Sequence, residues 1–189
     1  MSSEPGASSL IGQLILLLVL TLINAFFAAA EMAIVSVNRN KLENEAENGD
    51  KKSQTLLRVM QHSTNYLATI QVAITFAGFL SSASAATNLA GYLEPLFGGA
   101  SWGKEVSIVI ITVALSYVSL VFGELFPKQI AIAKAEAVAK ATVGVVRVTG
   151  MFTKPFVWLL SASTNLLMKI TPIDFTNTEE AMTREEMLS

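Results

Sequence analysis

VFGELFPKQIAIAK, residues 121–134, is the stretch in which a long apolar run meets Glu124, Pro127 and Lys128. Proline has no N–H to donate to the carbonyl four residues earlier, here that of Gly123, and its ring pushes against the same oxygen. The sequence therefore predicts that a helix kinks or unwinds at this point. A carboxylate beside a freed backbone oxygen has the chemistry of a hard-cation site.

The composition indicates that this segment lies in a membrane. Of the 189 residues, 52% are apolar and only 15% are charged, whereas ordinary soluble domains carry about a quarter charged residues. The formal net charge of −2 argues against a nucleic-acid partner, which requires a basic surface. The chain has no cysteine, so thiolate chemistry and cysteine-ligated metals are excluded, and its single histidine, His62, cannot by itself build a zinc site. The lipid bilayer is the expected partner.

Three segments are long and apolar enough to cross a bilayer core of about 30 Å, namely residues 9–37, 65–90 and 105–124. The second is rich in Ala, Ser, Thr and Gly, which let transmembrane helices approach closely. Residues 38–61, between the first two, are polar, helix-prone and of mixed charge. These patterns predict an all-α membrane protein with three transmembrane helices and a helical segment at 38–61.

A belt region, residues 128–170, follows the third span. Its first part, 130–150, is apolar but charged along one helical face, which is typical of a helix lying in the membrane interface. The charged residues that share this face are Glu136, Lys140 and Arg147. Its second part, 155–168, is shorter than a span and is expected to be re-entrant or juxtamembrane. The chain then becomes polar and acidic, so residues 1–172 form one transmembrane domain and 173–189 the start of a linker.

Lysine and arginine residues beside the spans predict the orientation. The N-terminal tail has none, whereas segment 38–61 and the region after Glu124 are basic. We therefore expect a multi-pass protein of the cell membrane with its N-terminus outside and its C-terminus in the cytoplasm. Glu124 then lies toward the cytoplasmic end of the third helix.

Oxygen-bearing side chains of the first two spans are candidate partners of Glu124. In the first span, helical spacing places four residues on one face: Thr21, Asn24, Ala28 and Glu31. In the second, one stripe holds Gln71, Thr75, Gly78 and Ser82, and Thr69 lies on the adjacent stripe. Oxygen ligands suit Mg²⁺, Ca²⁺ or Na⁺ and disfavour softer metals.

Structural interpretations of the same residues stay open. Serine and threonine in transmembrane helices often bond their own backbone or a neighbouring helix, so these hydroxyls are also explained by packing. Glu31 is also explained as a residue near the inner interface, paired with Arg39 or Lys128. A Glu124–Lys128 pair at a helix end is the corresponding alternative for Glu124. Ionisable residues at membrane depth are costly and usually functional, which favours a functional role for Glu124.

Three stretches resemble one family. GELFPKQIA, residues 123–131, resembles the G-E-x-x-P-K-x-x-A signature of the CorC/cyclin-M (CNNM) transmembrane domain. NAFFAAAEMAIVSVNRNKLE, residues 24–43, is similar to the family's opening motif, and YLATIQVAITFAGFLSSA, residues 66–83, to its second span. The resemblance implies a homodimer of three-span subunits with a basic helical belt, which exports Mg²⁺ in exchange for Na⁺ entry. Longer members continue into a pair of ATP-binding CBS modules, and this sequence is expected to represent the membrane half alone.

Carried over by motif, Glu124 matches the acidic ligand and Gly123 its neighbour. Two positions depart from the pattern: Ala28 stands where many members have serine, and Thr75 where Mg²⁺-transporting members often have asparagine. The candidate metal positions are Glu124, Gly123, Asn24, Ala28, Thr69, Gln71 and Thr75. The candidate structural or gating residues are Pro127, Lys128 and Glu31.

The predicted function is divalent-cation transport, as Mg²⁺ efflux coupled to Na⁺ entry, by alternating access in a homodimer. Lys128 is expected to pair with Glu124 when the ion is absent. The alternative is a membrane anchor or scaffold for a cytoplasmic CBS module, with no transport of its own. An enzyme is not expected, because no Ser–His or paired-Asp arrangement occurs in the sequence.

Overall fold

The computed structural model describes residues 7–97 and 102–170, and these are helical with no β-strand among them. The first long helix, α1, runs over Ala7–Ser36, and the second, α4, over Ser63–Asn88. The all-α fold predicted from hydropathy is confirmed, and the observed start of α4 lies close to the predicted start of the second span. The predicted linker, 173–189, lies outside the described residues.

Two polar helices join α1 to α4: α2 at Arg39–Glu47 and α3 at Lys51–Gln61. Side-chain oxygens cap both, since Asn38 accepts a bond from the Lys41 N–H at 3.2 Å and Asp50 from the Lys52 N–H at 3.1 Å. Gly49 makes the turn between them with φ of +93°, a conformation that favours glycine. The predicted helical segment 38–61 is therefore a capped hairpin of two helices.

After α4, a short helix α5 at Ala90–Leu93 and a 3₁₀ turn at Glu94–Phe97 precede helix α6 at Gly103–Leu120. A π-helical turn at Val121–Leu125 then leads directly into α7 at Phe126–Ala133. The third span was predicted to end at Glu124, but the apolar helix continues to Ala133. By length and composition, Gly103–Ala133 is one candidate membrane span.

The last helix, α8, runs without interruption over Ala135–Ile170. The prediction of an interfacial helix followed by a separate short segment is therefore wrong in its division. Pro155 lies inside α8, and a proline removes only one N–H donor from a helix of 36 residues. Within the described residues, four stretches are long and apolar enough to cross a membrane: Leu10–Ser36, Ser63–Ala85, Gly103–Ala133 and Ala135–Ile170.

The main core lies where α1, α4 and α8 meet the α2–α3 hairpin. Its fully buried side chains include Leu42, Leu56 and Ile70. A smaller apolar cluster joins α1, α4 and α6 through Leu17, Ala85 and Ile111. Many large apolar side chains on α1, α6 and α8 are exposed, as expected for helices that face lipid. The chain is a multi-pass membrane protein.

Candidate cation site

The π-helical turn gives the third apolar helix its distinctive geometry. Its wide turn closes with a bond from the Phe126 N–H to the Val121 carbonyl, five residues earlier. The backbone keeps right-handed helical angles at Leu125, with φ of −65° and ψ of −50°. The helix therefore does not unwind at Pro127, and the predicted distortion takes the form of one wide turn. Such π-helical turns occur frequently at functional sites.

Asn24 of α1 contacts the carbonyl of Gly123, to which Pro127 has no N–H to donate. Its Nδ2 donates to the Gly123 carbonyl at 3.2 Å, and the residue is only 6% exposed. A Cβ atom at position 123 would lie 3.2 Å from this Nδ2, so the close approach of the two helices favours glycine. The sequence predicted Gly123 and Asn24 separately as candidate ligands, and the structure brings them into contact.

The other polar atom of the Asn24 side chain has no partner. Its Oδ1 is buried and makes no hydrogen bond within the described structure. A buried acceptor without a partner costs about 1–3 kcal/mol, so native structures usually supply such an atom with a donor, a water or an ion. A bound cation is one partner that would satisfy this oxygen.

A cavity of about 370 Å³ lies beside this side chain, between α1, α4 and α6. Asn24, Thr75 and Glu124 all line it, so three of the predicted ligand positions share one space. Further hydroxyls also line it, from Ser81, Ser82, Thr112, Ser116 and Ser119. The lining thus combines one carboxylate with neutral oxygens, a donor set that suits hard cations.

An ion-pair chain lies next to the cavity. The Lys128 ammonium is 2.9 Å from Glu124 Oε1 and 3.2 Å from Glu31 Oε2. The Glu31–Lys128 and Glu124–Lys128 pairs, each considered as an alternative in the sequence analysis, therefore occur together. Arg39, the other proposed partner of Glu31, instead pairs with Glu43 at 2.9 Å. Lys128 thus links α1 to the π-helical turn through two carboxylates.

Comparison with known proteins identifies the family. The model of the cyclin M transmembrane N-terminal domain (CNNM) matches residues 14–189. The chain belongs to the CNNM family. The resemblance inferred from the three sequence motifs is confirmed.

Curated relatives of this CNNM chain are longer proteins. The UPF0053 protein sll0260 of Synechocystis is 32% identical over 87% of this chain and 38% of its own length. The UPF0053 protein YhdT of Bacillus subtilis is 34% identical over 83% of this chain and 35% of its own length. The polyamine export protein of Haemophilus influenzae is 25% identical over 90% of this chain and 40% of its own length. The chain therefore spans about two fifths of each relative.

Three of the predicted positions of this CNNM domain are not part of the cavity lining: Ala28, Thr69 and Gln71. Thr69 donates its hydroxyl to the Asn65 carbonyl at 2.9 Å and lines a different cavity, as the packing interpretation expects. Gln71 is exposed, and its Nε2 is 3.5 Å from the Thr75 hydroxyl. Ala28 is fully buried. The structure thus places Thr69 and Gln71 outside the cavity lining.

Sequence reasoning missed the cavity hydroxyls of α6. Thr112, Ser116 and Ser119 follow four- and three-residue spacing, which places them on one helical face. That spacing is the signal that would have found them. Within residues 7–97 and 102–170, no three His, Asp or Glu side chains are grouped to hold a metal ion. An ion in this cavity would therefore depend on neutral oxygens beside Glu124.

Proposed function

We propose that this CNNM domain transports a divalent cation through the cavity beside the π-helical turn. The observation that carries the proposal is the buried, unpartnered Oδ1 of Asn24 in a side chain that shares this cavity with Glu124. Mg²⁺ is the proposed ion, and Na⁺ entry the proposed driving force, because the family motifs imply both. The same motifs support a homodimer that works by alternating access, and the lysine and arginine residues beside the spans support an N-terminus outside.

The donor set supports a partly hydrated ion. Mg²⁺ prefers six oxygen ligands and usually keeps several waters, held by one or two carboxylates. Glu124 supplies the charge, and Asn24 Oδ1 and the Thr75 hydroxyl supply neutral oxygens. The Gly123 carbonyl already accepts one bond from Asn24 but retains a second lone pair. Waters would complete the shell.

Lys128 gives the site a switch. When no cation is bound, its ammonium pairs with both Glu124 and Glu31, which leaves one net negative charge on the cluster. A divalent ion at Glu124 repels the ammonium and leaves it paired with Glu31 alone. Since Lys128 lies on α7 and Glu31 on α1, ion binding would change the contact between these helices. This exchange is the proposed link between occupancy and movement.

A second candidate substrate is an organic polycation. Glu31 and Glu124 hold an alkylammonium group in this structure, that of Lys128. An amine of a polyamine has the same charge and hydrogen-bond donors, and one relative is named a polyamine export protein. The carboxylate pair therefore offers a site for either substrate class.

Flux through the purified protein in liposomes tests the proposal. A Mg²⁺-sensitive dye inside the liposomes should report entry with the native chain, and Glu124→Gln should reduce the rate to that of protein-free liposomes. Glu105→Gln is the matched control, because Glu105 is exposed at the opposite end of the same apolar helix. Radiolabelled spermidine in place of Mg²⁺ distinguishes the second candidate. If neither substrate crosses with the native chain, the anchor or scaffold alternative is favoured.

A further inference from the structure

A separate cavity of about 580 Å³ lies between α3, the beginning of α4 and α8. It shares no lining residue with the cation cavity. Apolar side chains such as Val157 and Trp158 line it together with three cations, Arg58, Arg147 and Lys154. No aspartate or glutamate is part of the lining. An apolar space bordered only by positive charge is complementary to an amphiphilic anion.

These three cations are uncompensated. Within residues 7–97 and 102–170, none of them forms a salt bridge, whereas Arg39, Lys128 and Lys140 all pair with carboxylates. The side chains that line the cavity thus favour a negatively charged ligand.

The position of the cavity along the chain indicates the kind of anion. It lies where the polar α2–α3 hairpin gives way to a candidate membrane span, Ser63–Ala85. This junction is where a span meets the lipid headgroups. Trp158 is 69% exposed at the cavity, and tryptophan is enriched at membrane–water interfaces. Basic pockets between transmembrane helices on the cytoplasmic side bind anionic headgroups, and the predicted orientation places this junction on that side.

We propose that this cavity binds an anionic phospholipid. Arg58, Arg147 and Lys154 receive its phosphate, and its acyl chain packs against the apolar wall that includes Val157 and Trp158. Inorganic phosphate shares the headgroup chemistry but leaves that wall uncovered. A zwitterionic phospholipid covers the wall but carries no net negative charge for the three cations.

Tryptophan fluorescence offers a direct test, because Trp102 and Trp158 are the two tryptophans of the chain. In a Trp102→Phe background, Trp158 alone reports on the cavity. The protein is reconstituted in phosphatidylcholine containing a small fraction of dibrominated phosphatidylglycerol or dibrominated phosphatidylcholine. The brominated anionic lipid should quench Trp158 at a lower mole fraction. Each cation removed should reduce this preference roughly fivefold, at about 1 kcal/mol for each basic residue near an anionic surface.

Two sets of variants separate lipid recognition from misfolding and from general charge. The triple variant Arg58→Gln, Arg147→Gln, Lys154→Gln should lose the preference, whereas Arg58→Lys with Arg147→Lys should keep it. The matched control removes the same charge outside the cavity: Lys51→Gln, Lys52→Gln, Lys134→Gln. Equal quenching by both lipids in the Trp102→Phe protein would overturn the proposal. So would a control variant that loses the preference for the anionic lipid as fully as the triple variant does. Release of quenching by millimolar inorganic phosphate would show a site for soluble anions instead.

Discussion

At the scale of single residues, Asn24 connects the sequence to the candidate site. Its position among the candidate ligands was predicted from the spacing of polar residues in the first span. The sequence could not show that the Nδ2 of its amide group is hydrogen-bonded while the Oδ1 is not. The Nδ2 bond depends on the Gly123 carbonyl, which lies far along the chain. Hydroxyls that bond their own helix, such as that of Thr69, look the same in a sequence as hydroxyls that line a cavity.

Ala28 and Thr75 provide a prediction about ion selectivity. Thr75 lines the cation cavity, and Ala28 is buried one helical turn beyond Asn24. Thr75→Asn exchanges the cavity hydroxyl for a longer amide oxygen, and Ala28→Ser adds a hydroxyl on α1 next to Asn24. Mg²⁺ requires such oxygen ligands at shorter distances than Ca²⁺ does. We expect the affinity for Mg²⁺ to rise roughly tenfold, or about 1.4 kcal/mol, and that for Ca²⁺ to rise less. Calorimetric titration of both ions measures the difference, and an equal or greater gain for Ca²⁺ would contradict this ligand assignment.

At the scale of helices, hydropathy predicted the spans well because it depends on local composition. The π-helical turn was not predicted, since proline alone does not decide between a kink, an unwound segment and a wide turn. Here the wide turn occurs where Asn24 satisfies the Gly123 carbonyl from another helix. The continuity of α8 was missed for a related reason: charged residues in its first part suggested an interfacial helix. Two of them, Glu136 and Lys140, instead pair with each other and with the α2–α3 hairpin.

Replacing Pro127 tests whether the π-helical turn serves the ion. Alanine restores an N–H that can donate to the Gly123 carbonyl and displace Asn24. Because Pro127 lies in the first turn of α7, where proline is tolerated, and alanine adds an N–H donor, Pro127→Ala should unfold at about the same temperature as the native chain. Its stabilisation by Mg²⁺ should nevertheless fall, since affinity determines that stabilisation. Pro155→Ala is the matched control within α8. Unchanged Mg²⁺ stabilisation in Pro127→Ala would separate the turn from ion binding.

The attachment of the α2–α3 hairpin to α8 should depend on pH. The pKa of Asp50 lies below its ordinary value of 3.8. The main cause is a hydrogen bond from the Lys140 ammonium, followed by one from the Ser53 hydroxyl. Because the pKa is lower in the folded state, the ionised carboxylate stabilises the attachment. This stabilisation is complete above the pKa of the unfolded state and is lost as the pH falls below that pKa. Amide exchange in α3 should therefore increase below about pH 4 beyond its intrinsic change.

Asp50→Asn isolates this contribution, because asparagine retains the capping oxygen but not the charge. The variant should show less protection of α3 at neutral pH and a flatter dependence on pH. Identical pH profiles of the two proteins would assign the loss of protection to the neighbouring carboxylates Glu45 and Glu136, which also contact Lys140.

At the scale of the whole molecule, the cation cavity opens between α1, α4 and α6, and substrate crossing requires that this space stay open. Gly78 lines it on α4, and a Cβ atom added there meets nothing within 4 Å. A leucine at this position therefore has room in the protomer but occupies part of the cavity. We expect Gly78→Leu to fold normally and to reduce Mg²⁺ flux in liposomes to that of protein-free liposomes.

The matched control for this substitution is Gly144→Leu. Gly144 is exposed on α8, and an added Cβ atom there also meets nothing within 4 Å. The two variants therefore add the same apolar volume without a clash, and only one adds it to the cavity. Thermal unfolding and gel filtration should show both to be folded, and Gly144→Leu should transport at the native rate. Native flux through folded Gly78→Leu would mean that the ion does not pass through this cavity, while equal losses in both variants would point to a general effect of added bulk on the membrane helices.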